Sequence, residues 1–139
     1  MKPKIYFSSE IRGLEGEDCP WDIQYERIMR AMQVCEVYRE YFPQYEWVCP
    51  HENYIVNELV KRGLVEGEDV VNIEVDWILS GEFLAVVVME PCHIGTGVHR
   101  EAIAGHDACS TVFIKDGDEP SRRYFAQRMA ELDAVRVEA

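Results

Sequence analysis

Basic residues are scarce in this chain: 14 lysines and arginines stand against 26 aspartates and glutamates, for a formal net charge of −12 at pH 7. Contacts to nucleic-acid phosphates need clustered Lys and Arg, so this balance argues against a nucleic-acid polymer as partner. It leaves room for a single nucleoside or nucleotide in a local pocket. Long apolar runs are missing as well. The longest, Phe83-Leu84-Ala85-Val86-Val87-Val88-Met89, falls far short of a bilayer span, and no membrane partner is expected. No CxxC pair occurs, and the five cysteines (19, 35, 49, 92 and 109) are odd in number and scattered. That usage points to reduced thiols. The residues from Met1 to Phe7 enter a strand-like pattern with no apolar signal region, so the expected compartment is cytoplasmic. No repeat, low-complexity segment or linker divides residues 1–139, which read as a single domain.

What is present alternates between strand and helix patterns. Ile5 to Ser8 reads as a first strand and Glu10 to Asp18 as a polar loop. Asp22 is placed to cap a long helix carrying Ile28, Met32, Cys35 and Phe42, which Pro43 stops. Tyr45 to Val48 is a short second strand. Ile55, Val56, Leu59 and Val60 mark a brief amphipathic helix ended by Gly63. Asp69 caps a helix running to about Leu79. Phe83 to Met89 is a strand buried on both faces, residues 97–109 a helix, and Thr111 to Ile114 a fourth strand. Pro120 opens a last helix, and Ala134 to Val137 reads as a short fifth strand. The implied class is α/β, a Rossmann-like doubly wound parallel sheet of about five strands. The flavodoxin-like order 2-1-3-4-5 puts the site between the ends of strands one and three.

Two carboxylates stand out against that frame. Glu101 lies in the segment Gly97-Val98-His99-Arg100-Glu101, just beyond the central strand, where open α/β sheets bind ligands. Its plain alternative is an acid placed near the positive end of a helix dipole. On the helix from Asp69, the residues Val70, Val71, Ile73, Trp77 and Ile78 mark an apolar face. Glu74 falls within it and Asp76 outside. An acid on an apolar face is costly unless it is paired or borders a polar cavity. For Glu74, a rotated helix or a structural salt bridge with an arginine is the alternative.

The stretch Ile5-Tyr6-Phe7-Ser8-Ser9-Glu10-Ile11-Arg12-Gly13 resembles the first strand and loop of the 2′-deoxynucleoside 5′-phosphate N-hydrolases, members of the nucleoside 2-deoxyribosyltransferase superfamily. Tyr25-Glu26-Arg27-Ile28, Glu74-Val75-Asp76-Trp77-Ile78-Leu79 and Gly97-Val98-His99-Arg100-Glu101 extend the likeness in the same order. The resemblance implies that Glu101 is the nucleophile, that Tyr6 orients it, and that Glu74 takes the place of an aspartate used in acid-base work. Substrate-binding positions carried over are Ser8, Ser9, Glu10, Ile11, Arg12 and Gly13 in the first loop, with Gly95, Thr96 and Gly97 before the nucleophile. It implies no cofactor, no metal, and a homodimer or larger homo-oligomer. The aromatic-rich ends of the chain (Tyr38, Tyr41, Phe42, Tyr45, Trp47, Tyr124, Phe125) fit either core packing or such an interface.

The chain departs from that family at four places, one of them the loop from Glu90 to Thr96, which is longer by about three residues. Glu74 replaces an aspartate. Glu10 stands where the phosphohydrolases carry a phosphate-holding serine, and Gly95 aligns with a second one, beside the hydroxyl of Thr96. The expected activity is therefore cleavage or transfer at the N-glycosidic bond of a (deoxy)nucleoside or a nucleoside 5′-monophosphate. Glu101 would form a glycosyl ester, and a partly buried Glu74 with a raised pKa would handle the proton. A catalytically degenerate module that binds a nucleotide-like ligand is the alternative. A metal site at Cys49, His51, Cys92 and His93 matches no standard zinc spacing. A phosphoacceptor receiver needs paired acids after strand one, which Glu10 alone does not supply.

Overall fold

The structure, a computed structural model, describes residues 1–138. Its β-branched and apolar runs form four strands: β1 (Lys4–Ser9), β2 (Glu46–Val48), β3 (Phe83–Met89) and β4 (Thr111–Ile114). All pairings are parallel, in the order β2-β1-β3-β4. Five helices accompany them: α1 (Trp21–Tyr41), α2 (Tyr54–Lys61), α3 (Gly67–Leu79), α4 (Gly97–Ala108) and α5 (Glu119–Glu138).

This is the expected Rossmann-like α/β sheet, with four strands instead of about five. Ala134 to Val137, expected as the fifth strand, continue α5. Their alternating valines imitate a strand, but no Gly or Pro after Leu132 stops the helix begun at Glu119.

Strand alternation divides the core in two. Ile5 and Phe7 of β1 and Ala85 and Val87 of β3 pack with Ala31, Cys35 and Tyr38 of α1 and with Phe125 and Met129 of α5. Tyr6, Val86 and Val88 point the other way, onto Ile78 of α3 and Val98 and Ala102 of α4. β3 is thus buried on both faces, as its unbroken apolar run implies. Of the aromatic-rich ends, Tyr38, Phe42, Tyr45, Trp47 and Phe125 belong to the first core. Tyr38, Phe42, Trp47 and Phe125 pack ring against ring, stacked, tilted or edge-to-face, at centroid distances of 4.8–5.8 Å. Tyr41 and Tyr124 are exposed.

Helix starts differ slightly from the sequence reading. α1 begins behind Pro20 and α3 behind Glu66, so Asp22 and Asp69 sit in first turns and do not cap. There they still meet the positive end of the helix dipole. Gly63 (φ 71°) ends α2 as expected. Its N–H bonds to the Val60 carbonyl and that of Leu64 to the Leu59 carbonyl, a pairing that needs the left-handed residue between them. α3 is rotated from the anticipated wheel: Ile78 is buried with Val75 beside it, while Ile73 is 69% exposed. α4 lies close against α3 because Gly97 has no side chain. A Cβ there would stand 2.8 Å from Val71 Cγ2.

Candidate active site

The strand order reverses between β1 and β3, and the loops beyond their carboxyl ends enclose a cleft of about 570 Å³. Alternation along β1 turns Tyr6 and Ser8 toward α3 and α4, beneath the cleft and not lining it. Thr96 caps α4, its hydroxyl accepting from the His99 N–H, and the second turn of that helix brings Glu101 back over the sheet. Glu101 is only 5% exposed. The Tyr6 hydroxyl lies 2.9 Å from Glu101 Oε1 and 2.5 Å from Glu74 Oε2, and the Ser8 hydroxyl donates to Glu101 Oε2 at 3.0 Å. The edges of Trp77 and Phe83 hold the Tyr6 ring in place.

A phenol has one proton to give, so Tyr6 donates to one carboxyl while the other must be protonated to bond with it. Burial pushes the Glu101 carboxyl well above the usual carboxylate range. The neighbouring Glu74 charge adds to that, and hydrogen bonds from Tyr6 and Ser8 oppose it only in part. Burial and the two acids likewise hold the Tyr6 phenol well above its ordinary value, so it stays a donor. Glu101 is the deeper of the two acids, and Glu74 is half-buried at the edge of the cleft.

The other expected residues fall into two groups. Ser9, Glu10, Ile11, Arg12 and Gly13 line the cleft from the β1 side, and Gly95, Thr96 and Gly97 line it from the β3 side. Ser8 does not line it; its hydroxyl holds Glu101 from behind. The Arg12 guanidinium crosses the mouth to the start of α3, where a Cβ on Gly67 would come within 2.7 Å of it. Glu10 is buried and bonds to His93. Trp21 and Ile28 of α1 and Val56 and Val60 of α2 supply an apolar wall.

Sequence reasoning weighed His51 only as a metal ligand and missed its place in the cleft. A short turn, Pro50–Glu52, follows β2 and delivers the ring into the cleft beside Glu74. Desolvation lowers its pKa, against the pull of the Glu74 charge and a hydrogen bond with the Ser9 backbone, so the ring is neutral at pH 7. Register was the available signal. Tyr6 pairs with Val48 in a parallel ladder, which carries His51 alongside Ser9. The two Cys/His pairs of the sequence do not converge. Cys49 is packed in the same core cluster as Cys35, His51 lines the cleft and His93 faces Glu10. Among the described residues no three His, Cys, Asp or Glu side chains are grouped to hold a metal ion.

No protein-family model, no curated protein and no solved structure matches this chain.

Proposed function

We propose that this protein breaks or exchanges the N-glycosidic bond of a nucleoside-type substrate, with Glu101 as nucleophile. The observation that carries the reading is the pair Glu101 and Glu74 on one tyrosine hydroxyl at the floor of the cleft. Both carboxyls meet one hydroxyl, at 2.5 Å and 2.9 Å, so the pair is close-set, which suits covalent glycosyl transfer; inverting enzymes leave room for a water between more distant acids. The proton shared by the pair divides their labour. Ionised Glu101 attacks the anomeric carbon as the carbon–nitrogen bond breaks, and the base leaves with the bonding electrons and takes its proton from Glu74. Water or a second base then displaces the ester, its proton returning to Glu74. His51, neutral and beside Glu74, is placed to pass that proton on. Polar floor and apolar wall suit the two halves of a nucleoside, with sugar hydroxyls over the carboxylates and a planar base against Trp21, Ile28 and Val56. The sequence likeness to the nucleoside 2-deoxyribosyltransferase superfamily supports the same chemistry, and with it a homo-oligomer acting in the cytoplasm.

The test is a panel of nucleosides and their 5′-monophosphates, with and without an acceptor base, followed for free or exchanged base by chromatography. Release from at least one substrate that disappears in Glu101→Gln is the expected result. Binding without turnover across the panel would replace the enzyme by a ligand-binding module. One observation favours that second reading: burial holds Glu101 toward its neutral form, in which it cannot attack.

A further inference from the structure

Tyr6, Ser8 and Glu10 form one row, alternate residues on the same side of the chain as it leaves the sheet. The first two touch Glu101. Glu10 lies two residues further on, roughly 7 Å along the strand direction, which is about the reach of a sugar ring with its exocyclic carbon. It lines the cleft yet is only 8% exposed. It is also fixed. The His93 backbone N–H donates to Oε2 at 3.1 Å, and His93 Nδ1 lies 2.8 Å and 3.0 Å from the two carboxylate oxygens. Beside an acceptor-only carboxylate, Nδ1 carries the hydrogen. The contact ties the loop after β1 to the loop after β3, so Glu10 cannot swing out of the cleft without undoing both. A carboxylate has room for about four donors, and His93 supplies two. The remaining acceptor positions are open to a ligand.

We propose that Glu10, held by His93, selects a ligand whose end remote from Glu101 is an uncharged hydroxyl, and so makes the free nucleoside the substrate in preference to its 5′-monophosphate. This rests on the N-glycosidic reading of Glu101 and adds the substrate class to it. Charge supports the choice. The cleft carries Glu10, Glu68, Glu74 and Glu101 against Arg12 and Arg100, and Arg100 is already bonded to Asn72 at 2.6 Å. A phosphate would bring up to two further negative charges against a buried carboxylate that has nowhere to move. A hydroxyl instead donates one hydrogen bond to a charged acceptor, the stronger kind of bond.

The test compares kcat/KM for the four common 2′-deoxynucleosides and their 5′-monophosphates in the wild type, Glu10→Gln and Glu10→Ser. The wild type is expected to favour a nucleoside over its own monophosphate by tenfold or more. Glu10→Gln, which keeps the shape and loses the charge, should shift that ratio toward the monophosphate by at least tenfold. A wild type that prefers the monophosphate, or a ratio unmoved in both variants, overturns the proposal while leaving the glycosidic reading intact. The same ligands are also titrated calorimetrically into Glu101→Gln, where no turnover is needed. Tighter binding of the nucleoside there, reversed when Glu10→Gln is added, supports Glu10 as the selector even if the chain proves to be a binding module. Equal binding, or none, removes it.

Discussion

At the scale of single residues, one proton and three oxygen-bearing groups decide how the site behaves. Glu101→Gln keeps the shape and the hydrogen-bonding capacity of a carboxyl but cannot form the ester. Base release is expected to fall by several powers of ten with the fold intact, measured by chromatography beside a thermal melt. The raised Glu101 carboxyl also couples stability to pH in a direction opposite to that of a salt-bridged acid. The folded chain holds this proton more tightly than the unfolded one. Its contribution is complete below the ordinary carboxylate value, about 4.3, and is lost as pH rises through the raised one. Melting temperatures of the wild type should therefore fall relative to Glu101→Gln as pH rises through that window. The acid limb of kcat/KM should climb over the same range, because only ionised Glu101 attacks. Parallel melting curves for the two proteins would mean that Glu101 is ionised throughout. Tyr6 was marked only by the family resemblance, whereas Glu101, just beyond the central strand, and Glu74, on a periodic helix, were legible in the residues themselves. His51 was not, since it follows a strand of three residues and a turn without periodicity.

At the scale of elements, the apolar runs marked β1, β3 and β4 directly, while the helices were readable in extent but less so in rotation. The wheel for α3 counted Ile73 and Trp77 as buried because they are apolar. The helix buries Ile78, as the wheel had it, but turns Val75 inward in place of Ile73, which still leaves Glu74 at the edge of the cleft. Sequence cannot show how closely two helices approach, and here that distance sets where Glu101 lies. Gly97→Ala places a methyl 2.8 Å from Val71 Cγ2, and the stiff β-branched side chain cannot turn aside cheaply. The variant should lose about 1–3 kcal/mol in urea unfolding. Turnover should drop as well, because α4 moves and carries Glu101 with it. Adding Val71→Ala makes the space and should restore most of both. A loss that the second substitution leaves unchanged would place the strain elsewhere in α4.

For the whole molecule, charge and exposed apolar surface pull in opposite directions. A net charge of −12 keeps copies of the chain apart at low ionic strength. Against this, α3 presents Ile73 and, one turn later on the same side, Trp77 at 36% exposure, with Leu79 also open to solvent. The aromatic-rich ends that first suggested an interface are mostly consumed by the core, so these α3 side chains are the better candidates for contact between copies. If two chains meet there, association must overcome mutual repulsion that salt screens over a distance of about 10 Å at 0.1 M. Sedimentation is therefore expected to show self-association that strengthens between low and moderate salt, the reverse of what interchain ion pairs would give. Ile73→Glu adds a charge in the middle of the patch and should yield a monomer at every salt concentration with an unchanged melting temperature, since Ile73 contributes little to the core. A wild type that sediments as a monomer throughout would leave α3 a solvent-facing helix.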